Sequence, residues 1–511
     1  MFNPLSSAIS TILLASAMAP AFAQEADKAT DLDQVIVTGS RTPVAIEKVP
    51  GAVTLVTAEQ VQRNLNLTED ATAVLARMVP GYSESSQAMS NSGETLRGRI
   101  ALRLFDGVPQ GSPLREGNRN GTFTDMGVIG RIEVINGPSA AEGIGGSGGV
   151  INYLSKNPEV DGHQTTVSTR YGTQFKDDSA TKKVGVTHTY RGDAADFVVS
   201  GAYIDRGISY DGDGRRVRMN TAGSLSDSYS KNLFVKGGYN FGQGQMQRIQ
   251  ATYSQFSING KANYRPVEGC RFDPVECPVP STNTAEKGSI AGSLAEFNEF
   301  EQVAVKYTNA DFFGGDLSVD AYWADQAMRY IAENGSDRQL VKPAPPEAER
   351  IWDQSEIVSD KKGLRVGYGY HELAGVEGLR LRAGVDFVED TAAQRLALTN
   401  RLWVPPMEYT SLAGYAQLSW DIGPVTLDAG VRREDGELSI DSYPPVAFRD
   451  HTPVQGGKLD YKATMPNFGA IWRINDQFSV FASYSEGFGI ANVGIPLRNI
   501  QANSPCKAVS C

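Results

Sequence analysis

Residues that could do chemistry are sparse in this 511-residue chain. Gly143-Ile-Gly145-Gly-Ser-Gly148 has the G-x-G-x-x-G spacing that cradles a pyrophosphate when a helix comes next. Here the next residues, Gly149-Val-Ile-Asn-Tyr153, read as a strand, so no helix N-terminus would be present to hold phosphate. His163, His188, His371 and His451 are scattered, with no i,i+4 pair and no Cys nearby, which leaves no foundation for a catalytic metal or a triad. The adjacent carboxylates Glu389-Asp390 fall at a strand end, where they read as solvated. Cys270 and Cys277 stand seven apart in a Pro-rich polar stretch (GCRFDPVECPVP) and suit a local disulfide stapling a loop. That spacing is wrong for zinc, and Cys506 and Cys511 have no readable partner. No enzymatic activity, resident cofactor or metal is expected. With 48 Lys+Arg against 59 Asp+Glu (48 − 59 = −11) and no basic block, the chain is also a poor binder of nucleic acid.

The elements that must position these residues begin after a leader. Ile9–Ala23 is the only long apolar run, and Ala21-Phe22-Ala23 offers small residues for cleavage before Gln24, so residues 1–23 read as a signal peptide despite lacking Lys or Arg. No later stretch reaches the roughly 18 apolar residues of a spanning helix. An exported chain of this kind can cross a membrane only as a closed β-barrel.

From residue 43 to about 160 the sequence reads as a compact α/β domain. Ala52–Val56 is a short strand, and Thr57-Ala-Glu-Gln60 has capping-box spacing and opens a helix to about Asn64. Leu67–Met78 reads as a second helix stopped by Val79-Pro80-Gly81, and Ala101–Phe105 and Arg131–Ile135 read as strands. Beyond Gly162 the period becomes two. Leu379, Leu381, Ala383, Val385 and Phe387 alternate with Arg380, Arg382 and Asp386, and Val425, Leu427, Ala429 and Val431 alternate with Thr426, Asp428 and Arg432. About thirteen such segments start near residues 165, 181, 195, 230, 246, 299, 316, 353, 379, 409, 425, 461 and 477.

Alternation fits a soluble sandwich as well as a membrane barrel, but loop parity separates them. Short connections (191–194, 241–245, 312–316, 374–378, 421–424, 474–476) alternate with long ones (206–229, 259–298, 326–351, 392–407, 437–460). Short turns on one rim and long loops on the other are how outer-membrane barrels are built, with the long loops outside the cell.

The motifs then resemble, in order, those of TonB-dependent outer-membrane transporters. Asp33-Gln-Val-Ile-Val-Thr-Gly-Ser-Arg41 resembles the TonB box and the stretch after it. Leu96-Arg-Gly98 with Leu104-Phe-Asp-Gly-Val-Pro109, and Arg131-Ile-Glu-Val-Ile-Asn-Gly-Pro-Ser139 with Gly145–Asn152, resemble the plug's signatures, although Asn136 stands where the family usually has Arg. Tyr484-Ser-Glu-Gly-Phe488 resembles a barrel signature.

The resemblance implies a β membrane barrel with an N-terminal α/β plug. The domains are then a TonB-box segment (24–42), a plug (43–160) and a barrel (161–511). The family's barrel has 22 strands. About thirteen are present here, so the chain is expected to be C-terminally truncated and, taken literally, not to close.

The resemblance also implies a function: active import of a ferric siderophore in the bacterial outer membrane, with iron present only as transported chelate. Cobalamin, haem or an oligosaccharide is the alternative cargo, though a haem receptor's characteristic motif and paired His are not visible. A non-functional fragment and an exported soluble β binding protein are the other readings. Partners implied are TonB with its inner-membrane energising complex, the ferric siderophore and outer-membrane lipid, with the receptor a monomer.

Site residues come from the same resemblance. Asp33, Gln34, Val35, Ile36 and Val37 would add as an edge strand to TonB, or else form an ordinary first plug strand. Arg97, Arg99, Arg103 and Arg131, with Glu133 and Glu486, are candidates for plug–barrel locks or for static salt bridges. Arg115 and Arg119, on the loop 110–121, are candidates for contacting an anionic chelate, or belong to a solvated basic loop.

Overall fold

The structure is a computed structural model. It describes residues 36–37, 44–86, 88–90, 93–115, 125–138, 143, 145–220, 222–270, 273, 275–332, 340–342, 351–446, 451–475 and 477–509. The leader and Asp33–Val35 lie outside these; Ile36–Val37 is a two-residue strand.

The α/β domain is built on five strands: β1 (Val53–Val56), β2 (Leu102–Phe105), β3 (Val108–Pro109), β4 (Ile129–Asn136) and β5 (Gly149–Ser155). Their order in the sheet is β1-β4-β5-β2-β3. Two helices pack on the sheet, α1 (Ala58–Leu65) and α2 (Ala71–Met78). The capping box at α1 is formed: Thr57 Oγ1 accepts from the Gln60 N–H, and Gln60 Oε1 accepts from the Thr57 N–H at 2.9 Å. Helix α2 starts later than its apolar pattern suggests, because the Asp70 carboxylate caps it by accepting from the Thr72 N–H at 2.9 Å. Between β2 and β3, Asp106 (φ 49°) and Gly107 (φ 84°) both take positive φ, which a two-residue hairpin turn of this kind requires. The glycine-rich segment does run straight into β5. At Gly149 (φ 125°) a Cβ would lie 2.4 Å from the Ile135 carbonyl oxygen, so this glycine serves close strand packing.

Thirteen long strands come next, in one antiparallel sheet whose spatial order is their chain order. They are β6 (Gly162–Gly172), β7 (Thr181–Arg191), β8 (Ala195–Arg206), β9 (Ser228–Phe241), β10 (Gln247–Gly260), β11 (Phe297–Phe312) and β12 (Gly315–Arg329), then β13 (Ser355–Tyr370), β14 (Leu379–Leu396), β15 (Leu402–Ile422), β16 (Val425–Ile440), β17 (Gly457–Arg473) and β18 (Ser479–Ser485). Neighbouring side chains on one strand meet opposite surroundings. Val385 and Phe387 are 53% and 44% exposed, whereas Asp386 between them is 2% exposed. The same outward apolar face recurs in Val184, Val235, Val303, Leu364, Leu412, Leu427 and Phe468. An apolar exterior repeated across the sheet exceeds any patch a soluble protein leaves in water, and it matches a lipid-facing wall. Beside the short turns the outward aromatics gather, Tyr190 with Phe197 and Tyr239 with Phe241, at ring separations of 5.4 and 6.2 Å. Such a row suits the membrane–water boundary.

Loop parity holds with one correction. The expected long connection 392–407 shrinks to 397–401, because β14 and β15 continue past the wall. Their pairing shifts register near Ala392–Arg395. There the apolar side chains turn inward: Ala392, Val404, Met407 and Tyr409 form a buried cluster with Leu114, Leu438, Ile490 and Leu497. The alternation used to delimit strands changes sense at that point.

Candidate functional site

The α/β domain sits against the inner face of the sheet and is tied to it by side chains reaching inward from the wall. Lys183 Nζ donates to Asp125 Oδ1 at 2.6 Å and to Glu69 Oε2 at 2.8 Å. Arg170 donates to the Leu65 carbonyl at 2.6 Å. Lys236 donates to Ser155 Oγ and Asn157 Oδ1 at 2.7 and 2.8 Å, and Arg365 to the Gly107 carbonyl at 2.8 Å. Gln110 donates to Gln302 Oε1 at 2.8 Å. At the centre, Lys361 donates to the Gly111 carbonyl and lies 3.7 Å from Asp390, which accepts from Ser112 Oγ at 2.6 Å. All three side chains are buried. Alternate positions on the strands point inward, so Lys361, Arg365, Asp386 and Asp390 share the face that meets the plug. Arg432 holds two carboxylates, Asp386 at 2.7 Å and Glu434 at 3.0 Å, and Gly143 packs so close to its guanidinium that a Cβ would meet it at 2.6 Å.

Among the described residues, the expected lock residues Arg97, Arg99 and Glu486 form no ion pair between plug and wall. Arg97 and Arg99 are exposed, and neither pairs with a carboxylate among the described residues. Glu486 is exposed and accepts from the Tyr484 hydroxyl at 2.6 Å. Arg131 pairs with Glu133 at 3.0 Å along β4, within the plug. Arg103 pairs with Glu94 at 3.0 Å, also within the plug. Burial pushes the Glu94 carboxyl up, with Arg103 pulling it back, and burial likewise raises the neighbouring Tyr82 and Tyr153. The wall supplies most of the cations, and the plug supplies carboxylates and the carbonyls of its turns. Among the described residues Lys48 runs the other way, a plug cation paired with Asp421 of the wall at 2.8 Å.

On the long-loop side, the plug segment 83–94 engages the loop 207–227. Met89 N donates to the Gly223 carbonyl at 3.2 Å. Three loops converge on Asp178, which accepts from the Tyr210 hydroxyl, from the Tyr264 hydroxyl at 2.6 Å, and from Arg216 Nε and Nη2 at 3.1 and 3.0 Å. Burial opposes its charged form, but the hydrogen bonds from Tyr210, Tyr264 and Arg216 outweigh it and hold the carboxyl well below its usual range. Burial and the same carboxylate push Tyr264 up to about 12. Cys270 and Cys277 are bonded, with Cα atoms 6.1 Å apart, in the loop between β10 and β11; Cys506 is disulfide-bonded as well. Arg115 closes a 3-10 turn, Pro113–Arg115, and Arg119 lies outside the described residues. The histidines are not all scattered: His163 and His188 meet diagonally across β6 and β7, Nδ1 to Nε2 at 3.2 Å. Among the described residues no group of three or more His, Cys, Asp or Glu is placed to hold a metal.

A polar-tethered α/β domain packed on the inner face of an antiparallel wall with an apolar exterior is the architecture of a plugged barrel. Comparison with known proteins gives the same class. Residues 45–150 match the TonB-dependent Receptor Plug Domain, and residues 281–499 match TonB dependent receptor-like, beta-barrel. The Rhizobactin receptor of Rhizobium meliloti (strain 1021) is 22% identical over 91% of this chain and 65% of its own length. The Ferric aerobactin receptor of Klebsiella pneumoniae is 23% identical over 94% of this chain and 67% of its own length. The chain thus spans about two thirds of the length of these relatives. Among solved structures, the siderophore receptor PiuA from Acinetobacter baumannii superposes with a TM-score of 0.62 at 14% identity, over 94% of this chain and 70% of that one. The chain belongs to the TonB-dependent receptor family, whose members are outer-membrane transporters and not enzymes.

Proposed function

We propose that the protein imports a ferric siderophore across the outer membrane, with TonB engaging Asp33–Val37 and drawing on the plug from the periplasm. The plug–wall contact carries the mechanistic reading. Lys183, Lys236, Lys361 and Arg365 tie the plug to the inner face through charge-assisted hydrogen bonds, most of them buried. Opening a path past the plug breaks several of these at once, a cost that favours an external energy source over passive diffusion. The siderophore class is supported by the rhizobactin and aerobactin receptors among the relatives.

The test is radio-iron uptake by iron-limited cells that lack their own receptors and express this chain. Ferric rhizobactin, ferric aerobactin and haem are supplied separately. Uptake of a ferric siderophore, abolished by deleting Asp33–Val37 while cell-surface binding persists, is the expected result. Uptake that survives the deletion overturns the TonB coupling, and uptake of haem alone overturns the cargo.

A further inference from the structure

A sizeable cavity among the described residues lies away from the external loops. It measures about 830 Å³ and lies between the plug sheet and the short-turn ends of β9–β14. That volume is within the ~300–1,000 Å³ range of ligand sites. Its lining carries eight Lys or Arg against four Asp or Glu, an excess of 8 − 4 = 4 positive charges in a chain whose net charge is −11.

Three of those excess charges are met by carboxylates outside the lining, and a fourth cation faces a lining carboxylate already counted. Arg131, Arg248 and Arg380 are paired with Glu133, Asp196 and Asp421, and Lys306 faces Asp320 at 3.5 Å. Four cations have no carboxylate bound to them among the described residues. Lys236, 3% exposed, donates only to the neutral groups of Ser155 and Asn157. Arg365, 9% exposed, donates to a backbone carbonyl and leaves its Nε buried without a partner. Arg382 forms no ion pair among the described residues, and Lys156 is half-buried with no bonded carboxylate. Three acidic lining groups stand near these cations without bonding to them. Asp106 accepts from the N–H and hydroxyl of Ser155 at 2.9 and 2.6 Å, Asp316 lies 2.9 Å from His371, and Glu159 is exposed.

Buried or half-buried charge without a bonded counter-ion is costly, and a multiply charged anion seated between plug and wall would relieve it at several points together. We propose that this cavity is an anion-binding site for a small polycarboxylate or phosphate-bearing ligand, with Lys236, Arg365 and Arg382 as its principal donors. Arginine and lysine together suit such ligands, one by planar paired donors and the other as a point charge. The site is separate from the external loops, and its test reads binding without transport, so it stands or falls independently of the import reading.

The experiment uses the full chain in detergent with Thr308→Cys. Thr308 is an uncharged lining residue, and none of the described native cysteines is free to compete. Labelling rates are measured with an anionic and a cationic thiosulfonate reagent of similar size, with and without citrate or inorganic phosphate. The anionic reagent is expected to react about tenfold faster, as a charged, walled site focuses ions of opposite sign. Citrate at millimolar concentration should slow both reagents. Protection by citrate alone assigns a polycarboxylate, and protection by both assigns a general anion site. Arg382→Gln, which breaks no ion pair in the structure, should cut the anionic preference several-fold, with Arg382→Lys restoring it. Equal rates for the two reagents, or protection by neither anion, overturns the proposal.

Discussion

Lys361, Ser112 and Asp390 concentrate the question of what a plug contact is worth. Both charged groups are buried, and each is satisfied through the other and through the plug at Gly111 and Ser112. Removing one partner strands the other, so Asp390→Ala is expected to destabilise the protein by about 3–5 kcal/mol. The double change Lys361→Met with Asp390→Leu should recover most of that, since neither charge is then left unpaired. Urea-unfolding midpoints of these variants and the parent check the cycle. At Asp178 the same reasoning becomes a pH dependence. The folded carboxyl is held below its ordinary value, so its stabilisation is complete above an unfolded pKa of about 3.9 and is lost as pH falls towards the folded value. Protection of loop 207–227 from hydrogen exchange, corrected for intrinsic rate, should drop between pH 5 and pH 3 on the order of that titration; Asp178→Asn should be low at both and flat. Neither constellation was legible in the sequence. Residue types showed that Arg97, Arg99 and Glu486 were charged but not which way they faced. The inward strand positions that hold Lys361 and Asp390 were readable as a polar face, yet nothing in one chain pairs a strand residue with a loop carbonyl 250 positions away.

Elements were far more legible because their signals are local. The capping box at Thr57 placed the start of α1, and the turn residues of 192–194, 242–246 and 423–424 separated strands as the period-two pattern required. Thr57→Ala removes the hydroxyl that accepts from the Gln60 N–H and should cost about 1 kcal/mol, read as a fall in the denaturation midpoint of the plug; Thr57→Ser should restore it. The pattern failed where its physical premise failed. Above the wall, β14 and β15 no longer have lipid on one side, and Val404, Met407 and Tyr409 are buried against Leu114 and the segment 486–509. A strand read by its outward apolar face looks like a loop there, which is why the pattern places one over 392–407.

For the whole molecule, the deciding quantity is what lies outside the sheet. Val385 is 53% exposed and stands between two inward positions, Gly384 and Asp386, the latter held by Arg432 at 2.7 Å. If water bathed that exterior, Val385→Arg would sit within about 0.5 kcal/mol of neutral, as exposed substitutions away from special features do. In a bilayer the same change places a guanidinium against hydrocarbon and costs roughly 2–4 kcal/mol near the midplane. The substitution therefore separates the two environments although it touches no contact of the plug. Folding of the variant is measured in lipid vesicles and again in a detergent whose micelle yields to the charge. A loss of a few kcal/mol in vesicles that largely disappears in detergent is the outcome the outward apolar face requires. Equal stability in both would mean that the exterior meets water, and the lipid-facing reading of all thirteen strands would fall with it. Val385 suits the measurement because its neighbours across the sheet, Val366 and Gly414, belong to the same outer face and leave the arginine no buried carboxylate to reach.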